Sequence, residues 1–117
     1  MRKSYHCVFG STRSIDELES EIGKRLDIKF EPHDSSYLGQ YVNYSGLFSD
    51  RLTIERNQKN AEDWRYEEFK NYPTLILFNN TEGKNADKLS KTKYLKSVLL
   101  KIPNVTLLKE TVLEENA

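Results

Sequence analysis

Histidine and cysteine are the residues of this chain best suited to metal binding or acid–base catalysis. The chain has two histidines, His6 and His33, and one cysteine, Cys7. His6 and Cys7 are neighbours in a segment expected to form a strand, so their side chains point to opposite faces and cannot share a metal ion. Acid–base catalysis by a histidine pair would need His6 and His33 to meet in one pocket beside a cation, and nothing in the local sequence favours this.

Nucleophilic catalysis and phosphate binding have no clear sequence support either. No serine lies in the glycine-flanked turn between a strand and a helix that presents a nucleophile, and Cys7 belongs to a segment expected to be buried. The nearest approach to a phosphate-binding loop is Gly10-Ser-Thr-Arg13. It lacks the further glycines and the lysine that such loops use. The sequence therefore predicts a protein that is not an enzyme and has no catalytic residues, metal or cofactor.

Lysines are concentrated near the C-terminal end of the chain. Between positions 84 and 101 the only acidic residue is Asp87, and six lysines occur: Lys84, Lys88, Lys91, Lys93, Lys96 and Lys101. Around a helix these lysines spread over most of the circumference, and only Tyr94 could stack on a base. A solvated helix face explains the lysines better. A small nucleic-acid-binding module that uses this helix is the alternative function.

Four carboxylates surround two aromatic residues in the middle of the chain: Glu62, Asp63, Trp64, Tyr66, Glu67 and Glu68. Acidic side chains beside exposed aromatics can cover a basic, substrate-binding cleft of another protein. The carboxylates then replace phosphates, and the aromatics supply the desolvated anchors that dominate binding energy. The alternative is a surface loop whose aromatics only hold it against the domain. These six residues are candidate partner-binding residues.

The stretch DSSYLGQYVNYSGL is unusually rich in tyrosine. In an extended strand Tyr37 and Tyr41 lie on one face. The opposite face takes three residues that suit a core: Leu38, Val42 and Tyr44. Tyr37 and Tyr41 then form either a recognition surface or, if another layer covers them, part of the core. With Asp34, they complete the candidate partner-binding residues.

Length and composition indicate a single domain spanning residues 1–117. The chain has 18 basic and 18 acidic residues, a balance that argues against a dedicated nucleic-acid or membrane-surface protein. The charge is uneven, because residues 34–82 carry five basic and eight acidic side chains and residues 83–117 carry seven and four. No apolar run is long enough for a membrane span, and we expect no signal peptide. A lone cysteine suits the cytosol.

Two helices are predicted from apolar spacing. Ser14 and Glu17 have the spacing of a capping box, and the helix behind them continues to Leu26. A second helix is predicted over residues 85–101. Its later part has an apolar stripe of leucine and valine, whereas lysines occupy the same face in its earlier part, so we expect a break near residues 90–92. Pro103 ends it.

Strands account for most of the remaining chain. The patterns predict strands over residues 5–9, 28–30, 37–44, 52–56, 74–78 and 105–112, with a long loop over residues 57–72 that contains one helical turn. The strand at residues 74–78 is the most hydrophobic and should be central, and the strand at residues 28–30 should stop at Pro32. The predicted fold is α+β, a single mixed or antiparallel sheet with two helices on one face, in the order β-α-β-β-β-β-α-β.

From about Phe30 onward the chain resembles small immunity proteins of bacterial polymorphic toxin systems, such as those of contact-dependent growth inhibition. The resemblance rests on HDSSYLGQYVNYSGLFSDRLTIERN, the acidic loop, EFKNYPTLILFNNTEG, a helix and VTLLKETVL. It implies a cytoplasmic protein without enzymatic activity that binds and neutralises a cognate toxin domain, often a nuclease. Such a protein would be a monomer or weak homodimer, with no nucleic-acid or membrane partner.

Overall fold

A six-stranded antiparallel sheet with two helices on one face forms the body of the protein in the computed structural model, which describes residues 1–36 and 39–116. In chain order the elements are β1 (Arg2–Ser11), α1 (Ile15–Leu26), β2 (Glu31–Ser35), β3 (Gly39–Gly46), β4 (Ser49–Arg56), β5 (Gln58–Asn60), β6 (Asp63–Trp64), a 3₁₀ turn (Glu67–Phe69), β7 (Thr74–Asn80), α2 (Asn85–Leu100) and β8 (Val105–Glu115). The α+β class and the predicted element order are confirmed.

The strand order in the sheet is β2-β3-β4-β7-β1-β8, and every neighbouring pair is antiparallel. The hydrophobic strand β7 is central, as predicted, between β4 and β1. The five-residue β2 and the eleven-residue β8 form the two edges. Strands β5 and β6 make a separate two-stranded ribbon inside the predicted long loop, which also contains the expected helical turn.

The core lies between the sheet and the helices, because apolar residues alternate with polar ones along the strands. Phe9 of β1 and Phe78 of β7 stack with ring centroids 6.0 Å apart. Nine further residues from the sheet, the helices and the turn after α2 are almost completely buried with them: Cys7, Leu18, Ile22, Leu52, Ile54, Ile76, Leu95, Leu99 and Ile102. Burial of one fully enclosed leucine or isoleucine contributes about 1.5–3 kcal/mol, so this layer supplies most of the stability.

Helix α1 begins and ends where the sequence predicts. The backbone N–H of Glu17 donates to the Ser14 hydroxyl oxygen over 3.2 Å, and that hydroxyl lies 3.3 Å from the Glu17 carboxylate. This is one half of the expected capping box, with the carboxylate bonded to the hydroxyl. The helix ends at Leu26, and Asp27, which caps it, adopts a left-handed conformation with φ of 53°.

Helix α2 is continuous, so the predicted break near residues 90–92 is wrong. Thr92 is buried, and its hydroxyl accepts a 3.0 Å hydrogen bond from the side-chain amide of Asn80. Lys88 is also fully buried. The first half of the helix therefore faces the sheet with polar residues, and a hydrophobic pattern alone cannot detect that face.

The second strand was also predicted in the wrong place. Residues 28–30 are not in a strand, and β2 begins at Glu31 and runs through Pro32, which pairs with Val42. Proline lacks a backbone donor, but an edge strand bonds a neighbour on one side only and tolerates the loss.

Neither helix among the described residues combines the length and apolar character needed to cross a membrane.

Asp50 joins the start of β4 to the segment after β7 and to α2. Its carboxylate accepts hydrogen bonds from the backbone N–H groups of Thr81 at 2.6 Å and Glu82 at 2.8 Å, and Lys91 Nζ lies 3.4 Å away. Burial alone would raise the pKa of Asp50. The backbone donors and the Lys91 ammonium outweigh burial and hold the pKa below its ordinary value.

Asp50→Asn should lower the free energy of unfolding by about 1–3 kcal/mol at pH 7, because it removes a charge that two N–H groups and an ammonium stabilise. A carboxyl group with a depressed folded-state pKa stabilises the protein above its unfolded pKa of about 3.9 and loses this contribution as the pH falls. Urea unfolding at several pH values should show the wild-type advantage shrinking below about pH 4. An advantage independent of pH would contradict this account.

Cys7 is 1% exposed, and its sulfur lies 3.7 Å from a Glu110 carboxylate oxygen. Burial, with the nearby Glu110 charge, raises the pKa of Cys7 to about 12. Since the thiolate is the reactive form, a thiol reagent at pH 8 should label the native protein much more slowly than the urea-unfolded protein. Equal labelling rates would show that the thiol is accessible in the native state.

Candidate partner-binding site

The face of the sheet opposite the helices, here called the open face, carries the polar side chains of the central strands. Arg51 of β4 pairs with Asn79 of β7, and Asn79 pairs with His6 of β1. In the next row Thr53 pairs with Leu77. The alternation that places apolar residues under the helices therefore places this polar set on the other side.

A loop of residues 57–73, here called the aromatic loop, covers one end of the open face. Tyr72 packs directly on Gly10 of β1. A Cβ atom at position 10 would lie only 2.5 Å from Tyr72 Cγ and 2.7 Å from Leu108 Cδ1. The close approach of the loop therefore requires glycine at position 10.

Asn57 fixes the aromatic loop from inside. It is fully buried, and the two hydrogens of its side-chain amide are shared among the carbonyl oxygens of Tyr66, Phe69 and Tyr72 at 3.0–3.2 Å. Its side-chain oxygen accepts a 2.8 Å hydrogen bond from the Tyr66 N–H. The backbone of Asn57 also bonds to Pro73 and Arg65. One side chain thus replaces the regular pairing that the loop backbone lacks.

Charged groups below the loop are paired with each other. Glu55 is 2% exposed, and its carboxylate lies 3.4 Å from Lys59 Nζ and 3.2 Å from an Arg65 nitrogen. Desolvation lowers the pKa of Lys59, and the Glu55 charge opposes part of that shift. These two ion pairs attach the aromatic loop, including the ribbon of β5 and β6, to Glu55 of β4.

All four predicted carboxylates of the loop are exposed, and Glu67 is paired with Lys70 at 3.4 Å. Within the described residues the other three, Glu62, Asp63 and Glu68, form no ion pair, although the Asp63 charge opposes part of the lowering of the Lys59 pKa. Together with Glu67, these carboxylates form an acidic rim on the exposed side of the loop.

The two predicted aromatic anchors are half-buried, and cations of the chain itself lie over their rings. Lys70 Nζ lies 5.6 Å from the Trp64 ring centroid. Lys109 Nζ lies 5.7 Å from the Tyr66 ring, and Phe69 packs 6.0 Å from it. The aromatics hold the loop against the domain, as one interpretation expects. The carboxylates face outward, as a partner-binding surface requires.

The described part of the tyrosine-rich segment lies in β2 and β3, at one edge of the sheet. Tyr41 is on the open face, where its ring stacks on His33 with centroids 5.3 Å apart. Tyr44 packs against the core, as predicted, with its ring 6.4 Å from Phe30. Asp34 is exposed on β2. Tyr37 and the predicted core residue Leu38 lie outside the described residues.

A cavity of about 430 Å³ brings Tyr41 close to the two ends of the aromatic loop. Its lining includes Tyr41, Gln58 and Pro73, together with the first turn of α1. The loop therefore connects two parts of the predicted surface, the acidic rim and the Tyr41 region.

A second cavity, here called the open-face cavity, has a volume of about 370 Å³ and lies between the sheet and the loop. Its side-chain lining includes His6, Val8, Arg51, Thr53, Glu55, Arg65, Tyr66, Leu77 and Asn79. His33 is not part of it. His6 and His33 share the open face but are separated by four strand spacings, about 19 Å.

His6 and Cys7 point to opposite sides of β1, as predicted, because Cys7 lies in the core and His6 faces the open-face cavity. Across residues 1–36 and 39–116, no three His, Cys, Asp or Glu side chains lie together in a group that could hold a metal ion.

The lysines considered for nucleic-acid binding do not form one free surface. Lys88 is fully buried, Lys91 pairs with Asp50, and Lys96 pairs with Glu110 at 2.8 Å. Those contacts compete with any contact to a phosphate.

Four important residues were not identified from the sequence: Asn57, Arg51, Thr53 and Asn79. Asn57 has the appearance of an ordinary residue of a polar loop, and its role depends on carbonyls up to fifteen positions away. Arg51 lies just before the strand predicted over residues 52–56, although the alternation of β4 would have placed it on the same face as Thr53.

No protein-family model, curated protein or solved structure matches this chain.

Replacing Asn57 by aspartate should release the aromatic loop. The carboxylate keeps the acceptor for Tyr66 N–H but has no donor for three carbonyls, so we expect a loss of about 2–4 kcal/mol in the free energy of unfolding. Trp64 is the only tryptophan, so its fluorescence should shift toward that of a solvated indole.

The matched control is Asn60→Asp in the same loop. Asn60 uses its side-chain oxygen only as an acceptor, for Glu62 N–H at 3.0 Å. That role survives the substitution, and stability and Trp64 fluorescence should remain close to wild type. Equal effects of the two substitutions would show that donation by Asn57 is not what holds the loop.

Proposed function

We propose that this protein is an immunity protein that binds a cognate toxin domain in the cytosol and neutralises it by protein–protein interaction. The observation that carries the proposal is an exposed acidic rim on a loop whose backbone is held by one buried asparagine. The resemblance to immunity proteins of polymorphic toxin systems supports the same class of function. A nuclease toxin would suit an acidic inhibitor surface, because its cleft must attract phosphates.

Rigidity of the aromatic loop favours tight association. A loop that orders only on binding loses affinity to conformational entropy, about 0.5–1.5 kcal/mol for each immobilised flexible side chain. Here the Asn57 hydrogen bonds and the packing of Tyr72 on Gly10 fix the loop before a partner arrives. The outward carboxylates are therefore presented in one arrangement.

Trp64 is the candidate anchor at the centre of this surface. It is half-buried and flanked in sequence by the exposed carboxylates of Glu62 and Asp63. Tryptophan is enriched among the few interface residues that dominate binding energy, particularly when a rim of polar groups excludes water around it. Lys70, which lies over its ring, would have to turn away or remain in the interface.

Charge distribution supports an oriented encounter with a basic partner. The acidic rim belongs to the segment with excess negative charge, and the excess of lysine belongs to the C-terminal part of the chain. A dipolar distribution of this kind raises the association rate of a charged partner with one side of the molecule.

The first experiment is a growth assay. Co-expression with the cognate toxin domain should restore growth of cells that produce the toxin, and the purified pair should associate with a Kd of about nanomolar. Failure to protect cells, combined with no measurable association, would reject the proposed function.

The second experiment locates the interface. The double substitution Glu67→Lys and Glu68→Lys should weaken binding of the toxin domain at least about tenfold, which is 1.4 kcal/mol, with a larger effect at low salt than at high salt. Glu19→Lys on α1 reverses one charge on the other side of the sheet and should change affinity little. Calorimetry or surface plasmon resonance gives both values. An unchanged affinity for the double variant would remove Glu67 and Glu68 from the interface.

A further inference from the structure

The open-face cavity holds several hydrogen-bond donors at its floor. Arg51, Asn79 and His6 form a row across three adjacent strands, since each is paired directly with the next. Thr53 adds a hydroxyl one row away on β4. Neighbouring side chains in such a row have Cβ atoms about 4.5–5.5 Å apart, so one small ligand can contact all of them.

These polar groups have no partners in the described part of the chain. The Arg51 guanidinium, the Asn79 amide, the His6 ring and the Thr53 hydroxyl make no side-chain hydrogen bond or ion pair there. Thr53 is 4% exposed and lines the cavity. A bound acceptor would give its hydroxyl the hydrogen-bond partner that the described residues do not supply.

The charge in and beside the cavity is positive. Two cations in the lining, Arg51 and Arg65, accompany one carboxylate, that of Glu55. Glu55 already forms ion pairs with Arg65 and Lys59, whereas Arg51 has no counterion among the described residues. The cavity therefore offers donors and excess positive charge, and the missing complement is an anion that accepts hydrogen bonds.

Apolar and aromatic groups complete the lining. Val8 and Leu77 lie beside the row of donors, and the side chain of Tyr66 contributes to the wall formed by the aromatic loop. A volume of about 370 Å³ is at the lower end of the range for small-molecule sites. The ligand should therefore carry a modest flat or apolar body as well as the anionic group.

We propose that the open-face cavity binds a small oxyanion, a phosphate or carboxylate group attached to a flat or apolar body, through Arg51, Thr53, Asn79 and His6. Arg51 supplies the charge and a planar fork of donors that matches two oxygens of the anion. Thr53 and Asn79 supply neutral donors from the floor. This site is separate from the acidic rim, and its occupancy does not depend on the protein being an immunity protein.

The test uses the full chain and four probes: inorganic phosphate, phenyl phosphate, benzoate and a short capped peptide containing glutamate. NMR titration should give saturable shifts of the Thr53 and Asn79 amides and of the His6 ring. A dissociation constant of about millimolar or tighter is expected for phenyl phosphate. Tighter binding of phenyl phosphate or benzoate than of the peptide assigns the site to a small molecule. The reverse order assigns it to an acidic side chain of a bound protein.

Substitutions separate this site from general attraction to a cation. Arg51→Gln should weaken phenyl phosphate binding at least about tenfold, and Thr53→Val, which keeps the shape, should weaken it about twofold to tenfold. Arg56→Gln is the matched control, because Arg56 is an exposed arginine on the same strand but on the helix side of the sheet. Saturable shifts that persist in Arg51→Gln, or no saturable shift with any probe at about 10 mM, would overturn the proposal.

Discussion

The hydrogen bonds of Asn57 fix the aromatic loop in its position over the open face of the sheet. Without them, residues 57–73 would have few backbone partners and would lose their fixed position over the open face. With them, one buried amide donates hydrogen bonds to three loop carbonyls, and the loop forms a fixed wall of the open-face cavity. The acidic rim, the position of Trp64 and the enclosure of the open-face cavity all depend on this wall.

The two faces of the sheet have different tasks as a result. The helix side is apolar and closed, and two of its buried polar groups, Thr92 and Asn80, are hydrogen-bonded to each other. The open face instead keeps unpartnered donors on central strands, where regular structure holds them rigidly. Stability is therefore concentrated on one side of the sheet, while the other side retains the groups that can interact with another molecule.

Much of the fold follows from local sequence pattern. The cap at Ser14 and the apolar spacing behind it define α1, and the hydrophobic run after Pro73 defines the central strand. Hydrophobic patterning gave a wrong prediction where a polar side chain is hydrogen-bonded to a distant part of the chain. Thr92 bonds to Asn80 from another element, so a continuous helix looked interrupted. Pro32 lies in an edge strand, where a missing donor has little cost.

The candidate site was only partly accessible to the same reasoning. Charge and aromatic content identified the acidic rim, because composition is a local property. The donor row of Arg51, Asn79 and His6 involves three strands that are distant in the chain, and only the strand order brings them together. Asn57 could not be distinguished from its polar neighbours, since its role comes from the path of the loop around it.

The edges of the sheet bear on how the protein behaves at high concentration. The eleven residues of β8 present an unpaired backbone along one side of the molecule, a surface on which identical chains can add as further strands. Charged residues occur in two pairs along this strand, Lys109 with Glu110 and Glu114 with Glu115. Bringing two such strands together places like charges near one another in several registers. The charges on β8 therefore oppose pairing of two β8 edges in those registers, while the exposed Val112 and Leu113 on the same strand favour it.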